Sequence, residues 1–483
     1  MGVLDGLQPA GVFRFFEEIS CIPRGSGNER GVSDYLVKFA NDRQLFVYQD
    51  AALNVIIKKP GATGYEDSAP LIIQGHMDMV CEKNTAVAHD FDNDPIRLII
   101  DGDYIKAKGT TLGADNGIAV AIGLALLDDI DIAHPPLEVL MTTNEEIGLE
   151  GAMAVECDKL AGRRMINLDC GGEGAFTVSC AGGGRSYVIF NIERSAPPPD
   201  YQYIRFDIKG LAGGHSGGDI HLGKANANVL AGRLLRMLNE KYDVRLAYIE
   251  GGLKDNAIPR EARAVIAVNK QDTGSVSDDI CRMGLIIKNE YDAADPDLSI
   301  TCAPTQYDGT PFTPELTKKI AAALVLLPNG VQAMDKKIPS LVETSNNTGV
   351  VRTGDDEVLI TNAVRSSVNT RKDFLYARIA ALCETLGADN KNANAYPSWE
   401  YAAESDIRET CAEVYKAMYG KDPEIKGIHG GLECGVFAGK FPGIDMIAMG
   451  PDASGAHTPD EKLSVSSTVR IWAFLTEVLR RLK

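Results

Sequence analysis

Histidine is scarce in this chain, seven in 483 residues, so the surroundings of each are informative. His76 lies in the string HMD, directly after the apolar run LIIQG. In an extended backbone, residues two apart share a face, which lets Asp78 reach the imidazole of His76. A carboxylate placed there holds the second ring nitrogen of a metal-bound imidazole and fixes its tautomer. Alone, such a triplet is weak evidence, but three acidic sites and a second histidine strengthen it. Asp115 sits in GTTLGADNG, between a glycine-rich loop and a helix start, where aspartate is also a favoured N-cap. Glu145 and Glu146 follow the strand-like LEVLMTTN, Asp169 follows RMINL, and His457 lies in PDASGAHTPDE after IDMIAMG. An apolar strand ending in a carboxylate is the usual place for an α/β active site.

Charge bookkeeping favours two metal ions over one. Two divalent ions bring four positive charges, and Asp115, Glu146 and Asp169 bring three negative ones, which leaves room for one hydroxide. His76 and His457 serve as neutral end ligands. Such a set suits Zn²⁺, with Mn²⁺ or Co²⁺ as alternatives. Glu145 is then free to act as general base, although adjacency alone does not order the glutamate pair. Paired ions about 3.5–4 Å apart polarise a carbonyl and lower the pKa of a shared water, which is the machinery of metal-assisted hydrolysis.

The elements that must position these residues alternate between strand and helix. Helical periodicity covers 12–19, 33–41 and 115–127, and short apolar runs at 71–74, 137–142 and 165–168 read as strands. This alternation predicts a doubly wound α/β layer structure, with the candidate residues converging at one rim of a mixed sheet. After Cys180 the character changes. Strands over 203–209, 244–250, 261–269 and 298–302, with helices over 225–239 and 275–288, make a β-α-β-β-α-β order. A similar order follows over 313–397, including a strand over 357–370 and a helix over 374–386. Residues 182–395 are therefore expected to form an inserted α+β region of two ferredoxin-like modules, about 182–305 and 306–395. The pattern then resumes with a helix over 405–418, a strand over 445–449 and a closing helix over 466–481. Segments 1–181 and 396–483 would thus make one discontinuous catalytic domain.

The motifs HMDMV, GTTLGADNG, NEEIGLEGA, NLD and GAHTPDE, in that order, resemble the di-zinc peptidases that include aminoacylases, carnosinases and bacterial dipeptidases. Longer strings narrow the resemblance. CIPRGSGNER, HDFDNDPIRLIIDGD ahead of KAKGTTLGADNG, and GGHSGGDIHLGKANAN look like the aminoacyl-histidine (beta-alanyl-histidine) dipeptidases. The resemblance spans essentially the whole chain, with no departure at a ligand position. It implies that His76, Asp115, Glu146, Asp169 and His457 bind metal, with Asp115 bridging. It also implies that Asp78 orients His76, that Glu145 is the general base, and that the insertion is a lid.

Within that insertion, the glycines around His215 in GGHSG expose its imidazole, and the resemblance makes it a donor to the developing oxyanion. Arg371, in SVNTRKD at the end of the expected strand, resembles the family's carboxylate-binding arginine. Arg365 is a second candidate, and for each a surface ion pair is the competing reading. Asn256 in DNAIP either contacts the substrate backbone or forms a turn before Pro259. HGGLECG, with His429 and Glu433, reads first as a glycine turn into a helix, with a substrate contact as the alternative because it leads towards the His457 strand.

The expected activity is hydrolysis of short unblocked dipeptides, including Xaa-His. A tripeptidase or N-acyl amino acid deacylase of the same superfamily is the alternative, and a metal-binding protein without turnover is a more distant one. Composition limits the partners. A net charge of −18 repels phosphate backbones and anionic membranes, so neither nucleic acid nor a membrane is expected. No apolar run approaches the roughly 18 residues of a membrane helix, and the start of the chain carries no basic leader. Ten cysteines without a CxxC pair read as reduced thiols, and the expected location is the cytoplasm. Lids of this superfamily often pair subunits, which keeps a homodimer open.

Overall fold

The computed structural model describes residues 2–483, which divide into two units. The first unit contains the chain up to Cys180 together with Trp399–Ile428 and Leu432–Lys483. Its centre is an eight-stranded mixed sheet in the order Phe46–Gln49, Val55–Lys59, Leu137–Thr142, Leu71–His76, Arg164–Asn167, Asp445–Ala448, Ala175–Cys180, Glu424–Ile428. The four strands from Leu137–Thr142 to Asp445–Ala448 run parallel. All residues of Leu71–His76 and Leu137–Thr142 are buried, as expected of central parallel strands covered on both faces. Because these strands share a direction, their carboxyl ends lie along one edge, and the chain leaves that edge at Met77, Thr143 and Leu168.

Helices pack on this sheet. In Ala10–Ser20, Val12, Phe13, Phe15, Phe16 and Ile19 recur at helical spacing and are buried. That helix lies against Ala114–Asp128, with Gly11 close to Ala125. The second helix is apolar nearly all round because it is enclosed on every side. Elsewhere, Phe176 of the strand Ala175–Cys180 stacks on Phe474 of the closing helix Val465–Arg481, with centroids 5.6 Å apart. Tyr415 of the helix Asp406–Tyr419 meets Phe474 edge-on at 5.7 Å. A small antiparallel sheet, Ala453–Ser454, Lys462–Ser464, Tyr104–Ala107, Leu98–Asp101, anchors the loop that carries His457.

The second unit, Ala181–Ser398 with His429–Gly431, is a separate antiparallel sheet covered by helices. Its strand order is Ser299–Thr305, Tyr201–Lys209, Ala262–Asn269, Arg245–Gly251, Val342–Thr353, Glu357–Ser366, Gly182–Asn191, Asp389–Tyr396, with Gly330–Met334 added alongside Val342–Thr353. Gly182–Asn191 pairs with Glu357–Ser366 and Asp389–Tyr396 rather than with the strands that directly follow it. Phe206, Leu234, Ile266, Ile320 and Ile360 belong to one buried core beneath its helices.

The strand expected over 357–370 stops at Ser366. There the Ser366 hydroxyl accepts from the amide of Val368, an ST-turn that diverts the chain into the helix Asn369–Leu386. Arg371 therefore lies in the first turn of a helix, while Arg365 stays on the strand. Among the described residues, no helix is long and apolar enough to cross a membrane.

Candidate metal centre

The strand Leu71–His76 delivers His76 and, two residues on, Asp78 to the sheet edge, and both are buried. His76 Nδ1 lies 3.3 Å from Asp78 Oδ1. Asp78 is in turn fixed by the Ser26 hydroxyl at 2.8 Å and by the amides of Glu145 and Glu146 at 3.1 and 3.3 Å. Burial works against its ionisation, but these donors and His76 together hold it below the ordinary aspartate range. With Nδ1 turned to Asp78, the other ring nitrogen faces Asp115 Oδ1 at 3.2 Å and Asp169 Oδ1 at 3.6 Å.

Asp115 stands at the centre. It follows Gly113 and Ala114 in a turn rather than a regular helical start, with non-helical φ/ψ of −78° and 104°. Its side chain makes no N-cap bond. One carboxylate oxygen faces His76, and the other lies 3.3 Å from His457 Nε2. His457 Nε2 also lies 2.9 Å from Glu146 Oε1. The donors thus group on two sides of one carboxylate: His76 with Asp169, and His457 with Glu146. His457 holds φ of 64°, a left-handed conformation uncommon outside glycine, which turns its ring back toward the sheet edge.

The backbone that carries these residues is tied together by amide side chains. Asn116 accepts from the amide of His76 at 3.2 Å and donates to the carbonyl of Leu168 at 2.9 Å, joining two strand ends. Asn167 accepts from the amide of Asp169 at 3.0 Å and donates to Gln74. Gln74 and Thr142 both donate to Glu433, a fully buried carboxyl whose second oxygen has no partner. Burial raises Glu433 to about 7, and Asp169 contributes to the rise.

The electrostatics are those of a site short of positive charge. Burial lifts Asp169 to about 6, with Asp115 and Glu146 adding to it against the pull of His76. Glu145 is held well above the ordinary carboxylate range, first by burial and then by Asp169, Glu433 and Glu146. Hydrogen bonds to Asp115 and Glu146 push His457 up to about 10. Burial opposes charge on His76, yet Asp169, Asp115 and Asp78 outweigh it.

A cation set among these groups would relieve the repulsion, and the donors fit one. His76, Asp115 and Glu146 each offer an atom, all within 4.8 Å of one another. Glu146 Oε1 is buried and, among the described residues, has His457 Nε2 at 2.9 Å as its one close polar partner. Oxygen and imidazole donors without thiolate suit Zn²⁺, Mn²⁺ or Co²⁺.

The remaining sequence candidates lie in the second unit. His215 pairs opposite Ala257 in a two-stranded ribbon, next to Asn256, whose carbonyl accepts from the Ser216 amide at 2.8 Å. The amides of Gly217 and Gly218 donate to His215 Nδ1 at 3.2 and 3.1 Å. The proton of the neutral ring is therefore on Nε2. Burial and then Arg365 keep His215 below the ordinary histidine range. Arg365 is 6% exposed, its Nε is unpartnered, and among the described residues no carboxylate pairs with it. Arg371 is half exposed and engages Glu343 at 2.9 Å. His429, read from the sequence as part of a turn, is buried against Ser345 at 2.7 Å, and burial followed by Arg365 drives it down to about 3.

The chain matches peptidase family M20/M25/M40 over residues 72–481. It is 37% identical over 482 residues to the cytosol non-specific dipeptidase of Escherichia coli, covering 100% of this chain and 99% of that protein. The crystal structure of aminoacylhistidine dipeptidase from Vibrio alginolyticus superposes with a TM-score of 0.93 at 36% identity, over 99% of this chain and 98% of that one. Aminopeptidase PepT from Bacillus cereus, at 16% identity and a TM-score of 0.57 over 99% of both chains, shares the fold alone.

Chelator-treated protein should gain stability when Zn²⁺ or Mn²⁺ is added. At a hundredfold excess over Kd, binding contributes about 2.7 kcal/mol, readable as a rise in melting temperature that sodium chloride does not reproduce. Asp115→Ala should lose that gain. Two tightly held ions in this variant would remove Asp115 from its central place.

Proposed function

This chain belongs to peptidase family M20/M25/M40, and from that premise we propose that it is a metal-dependent dipeptidase acting on short unblocked dipeptides, Xaa-His among them. The observation that carries this reading is the Asp115 carboxylate, with one oxygen at His76 and the other at His457, beside a glutamate engaged by neither histidine. Both relatives close in sequence are named as dipeptidases, and the Escherichia coli protein is named for the cytosol, where we also place this one.

His76 and Asp169 would hold one divalent ion and His457 and Glu146 the other, with Asp115 shared, Zn²⁺ being our first choice. When bound, such ions polarise the scissile carbonyl and lower the pKa of water. Asp78 keeps the proton of His76 on Nδ1, so that Nε2 remains a ligand. Glu145 takes the proton of the attacking water and returns it to the leaving amine, a task suited to a carboxylate that burial has made more basic.

We read the second unit as a lid of two ferredoxin-like modules, the second drawing its first strand from Gly182–Asn191. Its strand order from Ser299–Thr305 to Arg245–Gly251 supports that reading. From this lid His215 Nε2–H donates to the developing oxyanion, and Asn256 lies beside it for the substrate backbone. For the substrate carboxylate we choose Arg365 over Arg371. A buried guanidinium without a counter-ion suits an incoming anion, whereas Arg371 already has Glu343.

Glu145→Gln should keep its metal content and lose about 10²–10⁴-fold in turnover. Metal depletion in that variant would make Glu145 a ligand instead. His215→Ala should lower kcat about 10²–10³-fold with metal content intact; a change in KM alone would assign it to ground-state binding. Unblocked dipeptides should be cleaved far better than their amides, N-acetyl derivatives or tetrapeptides, and Arg365→Ala should narrow the gap to the amides. Equal kcat/KM for a dipeptide and its amide in the parent enzyme would remove the carboxylate anchor.

A further inference from the structure

Two enclosed charges of the first unit have no part in the chemistry above. Arg24 and Glu461 are each 2% exposed. Arg24 Nη1 donates to the carbonyls of Met77 and Asp78 at 3.1 and 3.3 Å, and Nη2 donates to the carbonyl of Gly113 at 2.5 Å. Its own carbonyl accepts from the amide of Met79 at 3.2 Å. Glu461 Oε2 accepts from the amides of Leu112 and Gly113 at 2.7 and 2.9 Å, and Oε1 accepts from the amide of Asp115 at 3.1 Å.

Gly113 is therefore gripped at both ends, its N–H by the carboxylate and its C=O by the guanidinium. It holds φ of 68°, and a Cβ there would fall 2.5 Å from Arg24 Nη2; a Cβ at Gly117 would meet the same atom at 2.5 Å. The two glycines leave the space that the guanidinium occupies.

Glu461 is itself fixed to the His457 turn. Its amide donates to the Thr458 carbonyl at 3.1 Å, and the Thr458 hydroxyl donates to the Gly455 carbonyl at 2.8 Å. One carboxylate thus ties the turn of His457 to the turn of Asp115. One guanidinium ties the turn of Asp115 to the strand end that carries His76 and Asp78. Burial opposes the charge on Arg24, and Glu461 is its leading counter-charge.

We propose that Arg24 and Glu461 are positioning residues that set the separation of His76, Asp115 and His457, so that the donor atoms are assembled before a cation arrives. This rests on the metal reading given above. Three segments distant in sequence must present donors to shared ions, and backbone amides and carbonyls anchored on buried charges hold them without occupying the donors themselves.

The test uses the full chain stripped of metal, with Zn²⁺ affinity measured by competition against a chromogenic chelator. The visible spectrum of the Co²⁺ form and the melting temperature of the metal-free form are recorded alongside. Glu461→Gln keeps the size but removes the charge and sets an NH₂ against backbone donors. It should bind Zn²⁺ about 10–100-fold more weakly and alter the Co²⁺ spectrum. Arg24→Lys keeps the charge but cannot span both carbonyl groups, so it should do the same, and it carries the test if the first variant does not fold. Unchanged Zn²⁺ affinity and Co²⁺ spectrum, with only a lower melting temperature, would reduce the pair to general packing and overturn the proposal while sparing the metal site. A parent protein that binds no ion would overturn the metal reading and this proposal with it.

Discussion

Unlike most buried charge, the carboxylates of the first unit crowd around one another rather than around cations of the chain. Asp78, Asp115, Glu146 and Asp169 meet two imidazoles, Glu145 and Glu433 are buried near them, and the nearby guanidinium of Arg24 is directed to backbone carbonyls. Such a cluster is stable only if its charge is offset by protons, by hydrogen-bond donors or by added cations. The molecule uses the second means selectively. Asp78 receives a hydroxyl and two amides, and Glu461 receives three amides. Burial instead holds Asp169 and Glu145 above the ordinary carboxylate range. That residue of uncompensated charge is what divalent ions would meet.

The same arrangement separates chemical roles by environment. Asp78 and Glu145 are carboxylates in one small region, yet donors hold the first ionised while burial and like charges make the second more basic. Two carboxyl groups pushed in opposite directions are suited to different tasks, which on the proposed reading are orienting a histidine and moving a proton. The parallel strands make this possible. Leu71–His76, Leu137–Thr142 and Arg164–Asn167 end along one edge, so donor side chains far apart in sequence meet without long connections.

Much of this was legible in the sequence, for physical reasons. Central parallel strands are continuous apolar runs, so LIIQG, LEVLM and RMINL marked the sheet, and the polar residues just beyond them marked its edge. The HxD spacing follows from strand geometry. Other features were hidden by their chemistry. Nothing in CIPRGSGNER shows that the fork of Arg24 will be spent on carbonyls of residues 77, 78 and 113. Asp115 could be read both as a candidate ligand and as an N-cap, and the folded chain turns its carboxylate to two histidines. Arg371 reads as a strand-end residue because Val368 and Thr370 are β-formers, whereas the chain turns at Ser366. Glu433 and His429 lie in a glycine-rich string whose turn propensity masks their burial.

Everything else in the account depends on Asp115 lying between two cations. Anomalous scattering at the zinc edge from crystals of the zinc-loaded protein measures this directly. Two peaks are expected, one beside His76 and Asp169 and one beside His457 and Glu146, with one oxygen of Asp115 directed at each. A single peak, or a pair of peaks neither of which contacts Asp115, would contradict it.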